Sequence, residues 1–357
     1  MKLEWLIFFV VFAMSCGTDK MSSMGSESSD KKEKKFESKE DDQEGELQFY
    51  SLKPNKEYDS ACGKYFFARV EEFESDGQSI FIADGTGGQV LVVDRNFDNC
   101  RVIGKSGEGP GEFKEPQRIA MWENALAVYG CSGQSICLFT KDGAFINSIK
   151  VGLLASKFAF DGQYIYFSSP AQQKGDIFSL ATTTGKITPL CKYKFSHLKD
   201  EEKYFRSRMH ILLHNDQLLC VGDSEPNISI FTKDGHLIKE YDFSDMELFK
   251  KFYKNLEMRR RREGYRQGMS YLLFQDVELN ADKLYCLMYQ YNEEGYPTLN
   301  HVLVMKSNHD NIRPEALYEL KPVLSNEKSW NLALAVNQNS LLTFDLLSAK
   351  FVVYPLP

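Results

Sequence analysis

Short apolar runs, each bounded by polar turns rich in Asp, Gly, Asn and Thr, recur along the chain from about residue 46 to its C-terminus. The clearest instance lies between Gly104 and Ile149, where ICLFT and AFINSI flank the turn Lys141-Asp142-Gly143. Two strand-like runs around an Asp-Gly turn are a strong hairpin signal. The whole stretch predicts one four-stranded antiparallel unit. Imperfect copies follow from the aliphatic residue that opens the second strand of each unit: Ile80 (SIFIAD), Leu126 (ALAVYG), Ile165 (YIYFSS), Leu218 (QLLCVG), Leu284 (KLYCLM) and Leu341 (SLLTFD). A third strand follows in each unit, as QVLVVDR, SICLFT, DIFSLA, NISIFT, HVLVMK and KFVVYPL.

Six units share residues 46–357, about 52 residues apiece, close to the period of propeller blades. A lone four-stranded sheet cannot bury its faces, so the units must stack radially. The sixth unit stops after its third strand, while LQFYSL (Leu47 to Leu52) precedes the first unit. A strand donated from the N-terminus would close the ring and remove the open edge. The expectation is therefore an all-β, six-bladed β-propeller of four-stranded antiparallel blades closed by that N-terminal strand. Two β-sandwiches are the competing arrangement, disfavoured because the turn chemistry recurs throughout with no linker dividing the chain. The longest departure from the repeat is an insertion at about 243–275, whose MELFKKFYKNLEM stretch is amphipathic and predicts a helix.

Composition adds an address. Lys2 is followed by the apolar run Trp5 to Met14, short for a membrane span and suited to the core of a secretory signal. Ala13-Met14-Ser15-Cys16 then resembles a bacterial lipobox, which implies removal of residues 1–15 and a diacylglycerol on the Cys16 thiol. The alternative is an ordinary secreted protein in which Cys16 is incidental. Residues 16–45 are almost devoid of aliphatic side chains and form a polar tether. A flexible chain of ~30 residues reaches roughly 30 Å. The expected location is the cell envelope, at the outer membrane.

A net charge of −7 and a pI near 5.6 argue against a nucleic-acid partner. The run Arg259, Arg260, Arg261 and Arg262 is the local exception, read first as a solvated helix end and second as a partner contact within the insertion. Of the seven cysteines after Cys16, Cys131 and Cys137 are the pair whose spacing suggests a bridge. Cys100, Cys191, Cys220 and Cys286 sit in apolar runs, where a small buried hydrophobe is the default.

The segment Gly107-Glu108-Gly109-Pro110-Gly111-Glu112-Phe113 before a strand, taken with the lipobox and the Asp-Gly blade turns, resembles the six-bladed propeller lipoproteins of Bacteroidota, described as TolB-like or NHL-repeat-like. The resemblance spans roughly Leu47 to Pro357 and implies the propeller fold and an envelope address. It implies little chemistry.

Eight residues before each repeat anchor, near the start of the innermost strand, stand Glu72, Arg118, Lys157, His210, Asp276 and Ala333. Five are polar or ionisable, and they are the candidates for a ligand site in the central channel. A wet channel lined by mutually paired charges is the plainer reading. No HExxH, GxSxG, Walker loop or Cys-X-X-Cys occurs, so no catalytic residue, metal ligand or cofactor is assigned. The expected function is a lipid-anchored, non-enzymatic binding module for a protein, peptide or glycan. The alternative is a metal-dependent hydrolase or lyase of NHL-like propeller type with its site in the channel.

Overall fold

A computed structural model describes residues 47–357 apart from 132–133, 153–156, 170–176, 192–207, 265–271, 309–310, 323–328 and 338. The signal segment, Cys16 and the tether lie outside the described residues. Among the described residues, no helix is long and apolar enough to cross a membrane.

Six sheets carry the fold. The first, second, fourth and sixth blades begin with the inner strands Val70–Ser75, Glu112–Trp122, Met209–His214 and Asn331–Asn337. Blade 3 begins with the two-residue strand Ala159–Phe160, and blade 5 with Phe274–Asn280. Every repeat anchor opens or lies in the second strand of its blade, and each third strand pairs antiparallel with it. The apolar runs are continuous because the middle strands are buried on both faces. Ser79–Asp84 and Gln89–Asp94 keep only their end residues partly exposed, whereas the outermost strand of blade 2, Phe145–Lys150, buries only Ile149.

The core is divided among the seams. Each of the six apolar clusters joins one blade to the next: Phe81, Val90 and Ile103 of blade 1 meet Phe113, Leu126 and Val128 of blade 2. The last cluster sets Phe344 and Phe351 of blade 6 against Phe73, Ile82 and Leu91 of blade 1, which closes the ring. Two TKDG turns add polar clasps between neighbours. Lys141 Nζ lies 3.1 Å from Asp76 Oδ2 of the preceding blade, and Lys233 Nζ lies 3.1 Å from Asp161 Oδ2 of its own preceding blade.

Closure follows the expected principle with a different strand. Gln48–Leu52 does not complete blade 6; it pairs in parallel with Asn311–Leu320 as a fifth strand of blade 5. The missing strand of blade 6 is Lys56–Tyr58, antiparallel to Lys350–Pro355. Pro54 separates the two, and its missing N–H ends one ladder and lets the chain step to the next blade. Phe351 sits at the seam with its ring centroid 4.8 to 5.2 Å from those of Phe67, Phe73, Phe97 and Phe344.

Cys131 and Cys137 form the expected disulfide. Cys100, expected as a small buried hydrophobe, is instead bridged to Cys62. Cys62 lies in the N-terminal segment and Cys100 opens the outer strand of blade 1, so the bridge fastens the closing segment beside its seam. Cys220 and Cys286 are buried thiols, as expected.

The insertion forms helix α1, Glu247–Glu263, ended by Gly264 at φ 75°. Phe249, Phe252 and Leu256 recur at helical spacing and enter the blade 4–blade 5 cluster. Buried Asn255 donates from Nδ2 to the Tyr291 carbonyl at 2.6 Å.

Candidate functional site

The inner strands place the expected ring at the propeller axis. Glu72, Arg118, Lys157, His210, Asp276 and Ala333, one from each blade, line a single depression together with Glu71, Gln275 and Leu332. Local irregularity aims them. In blades 1, 2 and 5 the strand register shifts immediately before Glu72, Arg118 and Asp276. Bulges of this kind bend a strand and redirect the next side chain. The depression is shallow, with a free volume of about 10 Å³, room for roughly one water-sized group.

Beneath it the axis is filled by charge. Lys157 is 4% exposed, and its Nζ lies 2.7 Å from Glu74 Oε1, 3.0 Å from Glu278 Oε2 and 3.8 Å from Asp276 Oδ1. Blade 3 thus supplies one ammonium to carboxylates of blades 1 and 5. Glu74 and Glu278 escaped the sequence reading, which examined one position per blade. They follow Glu72 and Asp276 by two residues, the spacing that returns a side chain to the same face of a strand.

The surroundings set the protonation states. Burial pushes Glu72 and Glu278 up to about 8, against the lowering pull of Lys157 and, at Glu72, of Arg118. Burial also raises Glu74. The same burial would lower Lys157, but Asp276, Glu278, Glu74 and Glu72 outweigh it and hold the ammonium well above its ordinary range. His210 is pushed down to about 3 by burial and by the Arg118 charge, so it is neutral at physiological pH.

Backbone groups occupy most of the carboxylate oxygens that face the mouth. Glu72 Oε2 accepts from the Ile119 N–H at 2.6 Å, and Asp276 accepts from Val277 and Leu334 N–H, each at 2.9 Å. The bonds from Ile119 and Leu334 cross from blade 1 to blade 2 and from blade 5 to blade 6, so the two acids also align the inner strands. Arg118 is different. Its guanidinium makes only long bonds, 3.4 and 3.3 Å, to the carbonyls of Glu71 and Gln117, with no carboxylate in ion-pair range among the described residues. His210 approaches the Phe274 carbonyl at 3.4 Å through Nε2, while Nδ1 is buried and has no hydrogen-bond partner among the described residues.

A channel filled this way favours the plainer of the two sequence readings for Lys157, which is paired across the axis. Within the described residues no group of three His, Cys, Asp or Glu is placed to hold a metal ion. The carboxylates that converge here already surround an ammonium.

The arginines of α1 do not act as one patch. Arg259 forms an ion pair with Glu263 at 3.0 Å and stacks over the Tyr291 ring at 5.5 Å. Arg262 stacks over Tyr296 at 4.0 Å, and Arg260 pairs with Glu257. Three of the four thus bind the helix to itself or to the blade 5 hairpin. Arg261 is exposed and makes no ion pair among the described residues.

Six radially stacked blades are also what comparison finds. A family model described as 6-bladed beta-propeller matches residues 64–299, about two-thirds of the chain. The chain belongs to this family. Among solved structures, this six-bladed propeller is similar to a structural-genomics protein from Bacteroides thetaiotaomicron, with 9% identity, 86% of this chain and 74% of the other covered, and a TM-score of 0.51. Virginiamycin B lyase from Staphylococcus aureus matches at 12% identity over 81% of each chain, with a TM-score of 0.47. Kuenenia stuttgartiensis hydrazine synthase matches at 13% identity over 78% of this chain and 74% of the other, also at 0.47. At such identities the likeness concerns the fold alone. No curated protein matches the chain.

Proposed function

We propose that this propeller is a lipid-anchored module of the cell envelope that binds a protein, peptide or glycan partner at the channel mouth, without chemical turnover. The observation that carries the reading is the filled axis. Lys157 and the carboxylates of two other blades leave a depression of about 10 Å³, too small to enclose a substrate, since small-molecule sites typically measure about 300–1,000 Å³. A ligand must therefore lie across the face, where Arg118 offers an unneutralised cation. Helix α1 stands at the same end of the propeller, because it leads into the inner strand of blade 5 and is bonded to Tyr291 at the end of the second strand. Exposed Arg261 belongs to that wider surface. In this reading Cys16 carries the lipid, and residues 16–45 hold the domain clear of an outer-membrane surface.

The test uses the full-length lipidated chain purified in detergent, beside Cys16→Ser and Arg118→Glu. The reading expects Cys16→Ser to leave the membrane fraction and one envelope component to co-purify stoichiometrically with the wild type but not with Arg118→Glu. It fails if no component binds, or if the charge reversal leaves capture unchanged.

A further inference from the structure

Helix α1 keeps its outer face in solvent, because Phe249, Phe252 and Leu256 commit the inner face to the blade 4–blade 5 cluster. On a chain of net charge −7, its seventeen residues carry seven cations against three acids. Lys250, Arg259, Arg260 and Arg262 each pair with an acid of the helix. Lys251, Lys254 and Arg261 are exposed and form no ion pair among the described residues. The helix dipole favours cations in the last turn, which accounts for Arg261 and not for Lys251 or Lys254.

These three cations form one row. Lys251 and Lys254 precede Met258 by seven and four residues and Arg261 follows it by three, spacings that share a helix face. The row is about 15 Å long at 1.5 Å per residue, and Met258 stands within it, 43% exposed. The blade 5 hairpin fixes one side of the row. Its tip approaches so closely that a Cβ on Gly295, at φ 77°, would stand 2.6 Å from the Arg259 nitrogen. Arg262 donates to the carbonyls of Glu294 and Gly295 and stacks over Tyr296, which is 47% exposed. Methionine, tyrosine and arginine are the residues enriched where proteins meet.

The flanks select the shape of what binds. Glu293 and Glu294 are exposed at the hairpin tip on one side. Glu257, paired with Arg260, is turned about 100° from Met258 toward the other. A flat anionic surface would press on these acids together with the cations, whereas a linear segment one side chain wide meets the cations alone. An acidic saccharide is also linear, but it brings no apolar side chain to Met258.

We infer that the outer face of α1 docks an acidic polypeptide segment, with carboxylates on Lys251, Lys254 and Arg261 and an apolar side chain between them on Met258. The inference rests on the binding-module reading, names protein as the partner class, and adds α1 to the channel mouth as a second contact.

The probe is the fluorescein-labelled peptide EELDEELDEELD, added to the full-length chain in neutral detergent and followed by anisotropy. Saturable binding is expected. Combining Lys254→Glu with Arg261→Glu should weaken it at least about ten-fold, equivalent to ~1.4 kcal/mol, while the unfolding midpoint stays that of wild type because both residues are exposed. The peptide EESDEESDEESD, equal in charge, should bind more weakly, and Met258→Ala should narrow the gap between the two peptides. Arg118→Glu should leave peptide binding unchanged.

The proposal is overturned if the leucine peptide does not bind, or if the double charge reversal binds it as well as wild type does. It is equally overturned if the serine peptide binds as tightly, or if oligogalacturonate or phosphatidylglycerol-doped micelles displace the peptide at equal charge. An envelope component whose capture needs Arg118 but survives the double reversal would also overturn it and leave the binding-module reading standing. Peptide binding that depends on the row, with no envelope component captured, would support the α1 face and count against that reading alone.

Discussion

Lys157→Met tests whether the axis is held by charge. The substitution keeps length and apolar stem while deleting the ammonium from between Glu74, Glu278 and Asp276, at 2.7, 3.0 and 3.8 Å. At an effective dielectric of about 20, the two shorter contacts are each worth roughly 5–6 kcal/mol of attraction. Mutual repulsion among the acids and their desolvation offset much of this. Removing one partner of a buried ion cluster typically costs about 3–5 kcal/mol, because the remaining charges are stranded. The loss has a pH signature. Burial raises Glu72, Glu74 and Glu278, and a raised acid stabilises the fold as its neutral form, an effect lost as pH rises through the folded-state value. In wild type, stability should therefore fall between about pH 5 and 8 from Glu72 and Glu278. In Lys157→Met the acids lack their counter-ion and are raised further, so the variant should lose still more at high pH. Urea unfolding followed by the fluorescence of Trp122 and Trp330 should give a deficit of about 3–5 kcal/mol at pH 8 and less than half of that at pH 5. Adding Glu278→Gln to the variant should recover part of the pH 8 loss. An equal deficit at both pH values would show that Lys157 acts through packing, and the electrostatic account of the axis would be wrong.

Three further perturbations probe the seam and the helix. Replacing Cys62 and Cys100 together by Ala opens a cross-link over 38 residues, which the chain-entropy relation sets at about 4 kcal/mol; unfolding of the two forms without reductant should differ by that order, and a difference below about 1 kcal/mol would deny the bridge its place at the closure. Arg259→Ala removes a cation that is 12% exposed from Glu263 and Tyr291 and should cost about 1–2 kcal/mol. Arg261→Ala should stay within about 0.5 kcal/mol of wild type in the same unfolding assay; the reverse order would mean that the helix packs through a different face.

The blades were legible because their physics is local. A middle strand buried on both faces has to be a continuous apolar run, and a tight hairpin needs Asp-Gly or its like, so SIFIAD and TKDG announce themselves without knowledge of their neighbours. Closure was half legible. An N-terminal strand was required by the unfinished last blade, but both Gln48–Leu52 and Lys56–Tyr58 satisfy that requirement, and only the positions of the edges of blades 5 and 6 decide between them. Cys62–Cys100 was hidden for a related reason. The partners lie 38 residues apart and meet because the closing segment crosses to the outer strand of blade 1.

The channel separates what a repeat can reveal from what it cannot. Counting eight residues back from each anchor found the ring, since equivalent positions in rotationally related blades must face one axis. Partnership on the axis depends on how far each side chain reaches across it. Lys157 is long enough to leave blade 3 and meet blades 1 and 5, and two of the acids that receive it, Glu74 and Glu278, lie one layer deeper on the same strand faces as Glu72 and Asp276. The paired acids at i and i+2 in VEEFES and FQDVELN were the available signal, because two buried carboxylates on each of two strands demand a cation between them. That demand also explains why Arg118 has no carboxylate in ion-pair range among the described residues. Lys157 answers the acids of blades 1 and 5, and the backbone N–H groups of Ile119 and Leu334 answer the oxygens that face blades 2 and 6. The hydrogen-bonding capacity left at the mouth therefore comes from Arg118 of blade 2, where no acid stands at the equivalent position to consume it.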